Sequence, residues 1–209
     1  MLALRPGLYA IVDPERCAGR PALEIATAIL RGGAAALQLR AKGLGDRERL
    51  ALARAMGNLS RAHGVPMILN DRVDLARLCG ADGVHLGQDD LEPRHARQLL
   101  GAEAWIGLST HSLEQVQSAN GCDLQMIGFG PIFATGSKPD ADPVVGLEGL
   151  RSAVQASRVP VVAIGGVELE QARAIHEAGA LMGAAIGALG LAPDPEAAAR
   201  ALHRRLGGR

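Results

Sequence analysis

Three polar side chains alternate with apolar residues in the segment Gln38-Leu-Arg-Ala-Lys42. Because successive side chains of a strand point to opposite faces, Gln38, Arg40 and Lys42 are predicted to share one face. Two cations and an amide donor on one face suit a multiply charged anion such as pyrophosphate. A strand end that simply meets solvent would show the same alternation, so the spacing alone leaves that alternative open.

Two aspartates follow neighbouring apolar runs. Asp71 comes after the run Pro66–Leu69, and Asp90 comes after the run Gly83–Leu86. If these runs are adjacent parallel strands, the two carboxylates meet at one edge and could share a divalent ion. Hard oxygen ligands beside an anion-binding group favour Mg²⁺. A helix N-cap is the competing interpretation, above all for Asp71, which precedes a predicted helix.

Glycines and hydroxyls follow the later apolar runs. Gly165-Gly166 lies between a predicted strand and a helix that starts near Glu168, and Thr135-Gly-Ser-Lys138 follows the run before it. Glycines in such a place let backbone N–H groups approach a phosphate at a helix terminus. A tight turn also needs glycine, so the position of the pair carries more weight than its composition.

Histidine positions divide into two groups. His85 and His111 lie at predicted strand ends, where a structural and a catalytic role are both open. His95, His176 and His203 fall on helical stretches and are expected to face solvent.

The element pattern that would position these residues is a regular alternation of strands and helices. Eight short, nearly continuous apolar runs are expected to be strands: Leu8–Val12, Ala35–Leu39, Pro66–Leu69, Gly83–Leu86, Trp105–Leu108, Met126–Ile132, Pro160–Ile164 and Gly183–Ile186. Continuous apolarity is typical of parallel strands buried on both faces, and amphipathic helical stripes separate the runs. Eight such units in 209 residues predict a compact (β/α)₈ TIM barrel forming a single domain over 1–209. An open doubly wound sheet is the alternative.

Composition limits the classes of function. The formal net charge is +0 and the charged fraction is 21%, without a clustered basic excess, so no nucleic-acid partner is expected. No apolar run approaches the roughly 20 residues of a spanning helix, so no membrane association is expected. Three widely spaced cysteines and the lack of a secretory signal indicate free thiols in a cytoplasmic protein. The partners expected are small phosphorylated molecules, with a homo-oligomer left open.

From Leu8 to Ala188 the chain resembles the thiamine phosphate synthase family, and six blocks in order carry the resemblance. They are Gln38-Leu-Arg-Ala-Lys42, Ile68-Leu-Asn-Asp-Arg-Val-Asp74, Ala81-Asp-Gly-Val-His-Leu-Gly-Gln-Asp-Asp90, Gly107-Leu-Ser-Thr-His111, Gly130-Pro-Ile-Phe-Ala-Thr-Gly-Ser-Lys138 and Val162-Ala-Ile-Gly-Gly166. The resemblance implies a transferase that joins aminohydroxymethylpyrimidine pyrophosphate to thiazole phosphate. Pyrophosphate departs first, and the thiazole nitrogen captures the resulting pyrimidine cation.

The resemblance also implies roles for individual residues. The pyrimidine pyrophosphate would be held by Gln38, Arg40, Lys42, Asn70, Ser109 and Lys138. The thiazole phosphate would be held by Thr135, Gly136, Ser137, Gly166, Ile186 and Gly187. Asp71 and Asp90 would hold Mg²⁺, and Arg40, Lys42, Lys138 and Ser109 would act in catalysis. Strand-end side chains of this kind are expected to contribute little to the stability of the core.

Two other functions stay open. The related thiazole tautomerase family has a histidine at the place of His111 and would use it as an acid and base, without a metal or a pyrophosphate site. A non-catalytic barrel that only binds a phosphorylated ligand is the third. The family usually has serine where Gly187 stands and threonine where Ser137 stands, so the hold on the thiazole phosphate is the part of the resemblance that departs most.

Overall fold

A computed structural model describes residues 4–136 and 142–209, and these form a closed barrel of eight parallel strands. The strands are β1 (Gly7–Val12), β2 (Ala36–Leu39), β3 (Met67–Asn70), β4 (Gly83–Leu86), β5 (Trp105–Thr110), β6 (Met126–Phe129), β7 (Val161–Ile164) and β8 (Met182–Ala185). Each strand pairs with the next, and β8 closes the barrel on β1. The predicted (β/α)₈ barrel is confirmed, and the open sheet is excluded.

Helices surround the barrel. Within the described ranges they are α1 (Ala22–Gly32), α2 (Asp46–Ala62), α3 (Val73–Cys79), α4 (Pro93–Leu100), α5 (Leu113–Ala119), α6 (Gly146–Ala156), α7 (Leu169–Glu177), α8 (Gly187–Gly190) and α9 (Pro195–Arg205). Side chains cap two of these helices: the Ser112 hydroxyl accepts from the backbone N–H of Gln115, and the Asp194 carboxylate accepts from that of Ala197. Gly80 ends α3 in the left-handed conformation, as a helix stop requires.

The core has two layers that explain why the strands are apolar on both faces. Side chains such as Tyr9, Ile68, Trp105 and Met126 pack together inside the barrel. A larger set, which includes Leu37, packs between the strands and the helices. A strand that faces the lumen on one side and a helix on the other has no solvent-exposed face, so its sequence does not alternate.

The described part of the chain has no helix that is long and apolar enough to cross a membrane. Cys17, Cys79 and Cys122 are free thiols, as predicted. Cys17 is buried, and burial raises the pKa of its thiol.

His203 does not face solvent, contrary to the expectation from its helical position. It lies on α9 with only 9% of its surface exposed. Its Nδ1 accepts a hydrogen bond of 3.3 Å from the backbone N–H of Leu8, so the neutral ring carries its proton on Nε2. α9 packs over the start of β1, and this packing buries His203. The sequence pattern alone does not distinguish His203 from a histidine on the exposed face of a helix.

Acid is expected to destabilise the protein through His203. Burial lowers the pKa of His203, so the unfolded chain binds a proton more readily than the folded one, and stability falls as the pH drops below about 6.5. Protonation also removes the acceptor for Leu8, which costs about 1 kcal/mol. Urea unfolding at pH 8 and pH 5.5 tests this. His203→Asn retains an acceptor but does not titrate, so an unchanged pH dependence in that variant would contradict the assignment.

Candidate active site

The polar residues singled out in the sequence gather at the C-terminal end of the barrel. Gln38 and Arg40 lie at the end of β2, Asn70 and Asp71 at the end of β3, and Ser109 near the end of β5. Asp90 follows β4 in a short loop. Active sites of TIM barrels are built at this end, because the loops that follow the strands converge there.

Two polar residues at the end of β2, Gln38 and Arg40, are held by partners on β1 or directly after it. Gln38 is buried and donates from Nε2 to the hydroxyl oxygen of Tyr9 at 2.8 Å. Burial raises the pKa of Tyr9, which keeps this hydroxyl protonated. Arg40 forms an ion pair with Asp13, whose side chain is only 2% exposed. Arg40 therefore has a buried partner, so we expect it, unlike other strand-end side chains, to contribute to stability.

Asp71 and Asp90 lie beside each other. The two carboxyl groups interact: burial, and after it the neighbouring Asp71 carboxyl, raise the pKa of Asp90. The Oδ2 of Asp71 is 2.9 Å from the Nζ of Lys42. The Oδ2 of Asp90 accepts from the backbone N–H of Gly87 at 2.6 Å.

Neither aspartate caps a helix, so the competing interpretation from the sequence is wrong. The N-cap of α3 is Arg72, and the N-cap of α4 is Glu92. Asp71 has a backbone φ of 61°, which is unusual for a residue other than glycine. Its N–H donates to the carbonyl of His85 at 2.9 Å, so pairing with the end of β4 holds it in place. The fold thus positions this carboxylate toward that of Asp90.

The pair fits a hard divalent cation. Two carboxylates in contact repel each other when both are ionised, and a cation between them would relieve that repulsion. Among the described residues no group of three or more His, Cys, Asp or Glu side chains could hold a metal. Mg²⁺ commonly uses only one or two carboxylates, with water and substrate phosphates completing its shell. The donor set is therefore of the kind that loads Mg²⁺ together with a phosphorylated substrate.

Ser109 contacts a histidine that the sequence left without a definite role. The Nε2 of His85 is 3.0 Å from the Ser109 hydroxyl oxygen. The ring fits inside the barrel because two neighbouring positions lack side chains: a Cβ at Gly107 would lie 2.4 Å from Nδ1 of His85, and one at Gly128 would lie 3.2 Å from Nε2. Glycine within a strand often marks such a close approach, and that signal was available in the sequence.

The glycines of the β7 end bring two loops together. Gly165 and Gly166 have φ values of 94° and 63°. A Cβ at Gly166 would lie 2.5 Å from the carbonyl oxygen of Ala134, so only glycine lets the turn after β7 rest against the loop after β6. Close packing thus accounts for this pair directly, and it sets Gly166 beside the segment that leads into Thr135 and Gly136. Ser137 and Lys138 lie outside the described residues.

Ile186 and Gly187 form the start of the short helix α8, with Ile186 as its N-cap. Among the described residues, a Cβ at Gly187 would meet Leu191 at 3.8 Å, which is ordinary contact. The described surroundings of Gly187 therefore leave room for a small side chain such as that of serine.

His111 is oriented by two oxygens. Its Nδ1 lies 2.7 Å from the carbonyl oxygen of Gly130 and 3.3 Å from a carboxylate oxygen of Asp142. Both are acceptors, so Nδ1 carries the proton, and in the neutral ring Nε2 is the basic nitrogen.

A closed eight-stranded barrel with cations and paired carboxylates at this end is a TIM-barrel enzyme of the kind that handles phosphorylated small molecules. The chain belongs to the thiamine monophosphate synthase family, which it matches over residues 8–189. It is 44% identical over 198 residues to the thiamine-phosphate synthase of Roseiflexus sp. (strain RS-1), covering 94% of this chain and 84% of that protein. The family recognised from the sequence is confirmed.

Further relatives agree. The thiamine-phosphate synthase of Moorella thermoacetica is 43% identical over 196 residues, covering 94% of this chain and 93% of that protein. The solved thiamine phosphate pyrophosphorylase from Pyrococcus furiosus superposes with a TM-score of 0.87 at 33% identity, covering 96% of this chain and 95% of the other. A 3-hexulose-6-phosphate synthase matches with a TM-score of 0.65 at 21% identity over 96% of this chain and 99% of that one, a likeness of fold alone.

Proposed function

We propose that this chain is a thiamine-phosphate synthase, which couples aminohydroxymethylpyrimidine pyrophosphate to thiazole phosphate. The observation that carries the proposal is the convergence of Arg40, Lys42 and the Asp71–Asp90 pair at one end of the barrel. The curated relatives at 43–44% identity are synthases of this name. A tautomerase, which binds a single phosphate, would have no use for this second set of charges.

The chemistry is a substitution at the methylene carbon of the pyrimidine. The bond from this carbon to the pyrophosphate oxygen breaks, and its electron pair leaves with pyrophosphate. The thiazole nitrogen then donates its lone pair to the carbon, so no proton is transferred at the new bond. The main demand on the protein is to neutralise charge that grows on the leaving group, and preorganised cations supply this.

The chain's own residues divide this work. Arg40 and Lys42 neutralise the leaving pyrophosphate, and Lys138 is assigned the same role. Gln38 and Asn70 bind the pyrimidine pyrophosphate, and Ser109, held by His85, orients the pyrimidine. Asp71 and Asp90 would hold Mg²⁺, which when bound supplies further positive charge to the leaving group.

The thiazole phosphate is assigned to the loops after β6, β7 and β8. Its proposed contacts are Thr135, Gly136, Ser137, Gly166, Ile186 and Gly187. The adjacency of Gly166 to Ala134 supports a shared subsite, because the loops after β6 and β7 already pack together.

The remaining sequence expectations belong to the same proposal. We infer one functional barrel domain over 1–209 that acts in the cytoplasm on small phosphorylated molecules, without a nucleic-acid or membrane partner. Measurement of the mass in solution tests whether the barrels associate into a homo-oligomer.

A coupling assay with His111→Ala tests the proposed function. Purified protein with pyrimidine pyrophosphate, thiazole phosphate and Mg²⁺ is expected to release pyrophosphate and thiamine phosphate in equal amounts over many turnovers. His111→Ala should retain substantial activity, because capture of the cation needs no histidine base.

The tautomerase hypothesis predicts the opposite result. It expects no coupling product, and instead a proton shift on the carboxylated thiazole phosphate that His111→Ala slows by about 10²–10⁴-fold, as for a general acid or base. Release of pyrophosphate without thiamine phosphate would show hydrolysis and would contradict the synthase proposal as well.

A further inference from the structure

The loop between β1 and α1, residues 13–21, contacts three separate parts of the candidate site. Asp13 pairs with Arg40 at the end of β2, Arg16 reaches the loop after β6, and Arg20 reaches α8 after β8. We infer that Arg16 and Arg20 are positioning residues for the thiazole-phosphate subsite, which they hold in shape from this one loop. The inference rests on the proposed function, because that function assigns the subsite to those two segments.

Arg16 ties down the loop after β6. Its Nη2 donates to the carbonyl oxygen of Gly136 at 2.7 Å. Gly136 has no side chain of its own to anchor it, and among the described residues a Cβ placed there would meet no atom within 4 Å. The hydrogen bond from Arg16 therefore joins the loop after β1 to the backbone of the loop after β6. It holds that backbone at Gly136, next to Thr135, and both of these residues are assigned to the phosphate.

Arg20 holds the other segment. Its Nη2 donates to the carbonyl oxygens of Gly190 at 2.7 Å and Ala192 at 2.8 Å. Gly190 is the last residue of α8 and Ala192 lies two residues beyond it, where backbone carbonyls lack intrahelical partners. A Cβ at Gly190 would lie 2.0 Å from the carbonyl oxygen of Arg16, so glycine lets the loop and the helix touch.

Hydrogen bonds within the loop hold Arg16 and Arg20 in position for these contacts. The Asp13 carboxylate accepts from the backbone N–H of Glu15 at 3.1 Å, and the Asp13 carbonyl accepts from the Cys17 thiol at 3.1 Å and from the Arg16 N–H at 2.8 Å. The Nε of Arg20 donates to the Cys17 carbonyl at 3.3 Å. Cys17 is itself buried. This internally hydrogen-bonded loop thus connects Arg40, in the pyrophosphate subsite, to both segments of the thiazole-phosphate subsite.

The test compares Arg16→Ala and Arg20→Ala by steady-state kinetics and by calorimetric binding of thiazole phosphate. Each is expected to raise the KM and the Kd for thiazole phosphate by about tenfold, as for one charged hydrogen bond, with the KM for pyrimidine pyrophosphate within about twofold of the unchanged protein. Arg16→Lys should restore most of the affinity, because one N–H suffices for Gly136. Arg20→Lys should restore less, because a single amine does not reproduce the three bonds of the guanidinium.

Two arginines elsewhere serve as matched controls. Arg54 donates to one carbonyl, that of Leu78, on the outer surface. Arg97 donates to the carbonyls of Gly101, Ala102 and Ala104 at the start of β5, the opposite end of the barrel. Arg54→Ala should change neither KM, and Arg97→Ala should lower the Tm without a selective change in the KM for thiazole phosphate.

The outcomes separate the inference from the proposed function. If the unchanged protein forms no thiamine phosphate, the proposed function is wrong. Normal turnover with an unchanged Kd for thiazole phosphate in both alanine variants overturns the inference alone. An equal rise in both KM values together with a lower Tm, as for a general loss of structure, also overturns it. A large loss of kcat in Arg16→Ala would place Arg16 on the reacting groups and overturn its positioning role.

Discussion

Asp71→Asn and Asp90→Asn are each expected to lower kcat/KM for thiamine phosphate formation by about 100-fold or more, which corresponds to about 2.7 kcal/mol. Each change removes one charge from the carboxylate pair that we propose to hold Mg²⁺. Excess EDTA should abolish turnover of the unchanged protein, and Mg²⁺ should restore it. Initial rates at saturating and limiting Mg²⁺ measure the effect, and the variants should need more Mg²⁺ for half-maximal rate.

The asparagine variants suit this experiment because the fold tolerates them. Asparagine adopts the φ of 61° found at Asp71 more readily than most residues. At Asp90 the amide oxygen can still accept from Gly87. Asp89 is exposed beside Asp90, so Asp89→Asn is the matched control and should retain activity. Full activity in EDTA, or a loss as large in Asp89→Asn, would contradict the metal assignment.

Arg40→Ala is expected to lower kcat/KM by about 10²–10³-fold, because it removes a preorganised cation from the leaving pyrophosphate. It should also lower the free energy of unfolding by roughly 3 kcal/mol, because it leaves the buried Asp13 carboxylate without its partner. Activity and urea unfolding of the same preparation measure the two effects.

A double variant separates the two roles of Arg40. Asp13→Asn removes the buried charge and retains an oxygen that can accept from the Glu15 N–H. Asp13→Asn combined with Arg40→Ala should therefore recover much of the lost stability and none of the lost activity. Recovery of activity along with stability would show that Arg40 acts only through the fold and would remove it from the proposed catalytic set.

The barrel could be predicted from the sequence because its signal is local. A strand buried on both faces must be apolar at every position, and eight such runs separated by helical stripes leave few other folds. The site could be placed for a related reason. The C-terminal ends of parallel strands lie at one edge of the sheet. Polar residues at those ends, such as Gln38, Asn70 and Ser109, therefore had to meet there.

The partners of these residues depend on distances between strands that no local pattern encodes. Asp13 and Arg40 directly follow the neighbouring strands β1 and β2, and their side chains meet only because these strands pair in a particular register. The short sequence between β3 and α3 allowed Asp71 to be a helix cap, and pairing with His85 directed it toward Asp90 instead.

The same distinction holds at the periphery. The helical pattern predicts that His203 faces solvent, but the packing of α9 on β1 buries it. No local pattern distinguishes Arg16 and Arg20 from the other arginines, and closure of the barrel brings them to Gly136 and Gly190. Hydrophobic periodicity is a property of neighbouring residues, so the sequence alone determines which elements form and which strand ends carry polar groups. Ion pairs and hydrogen bonds between distant segments arise only when closure sets the distances, so the tertiary structure decides them.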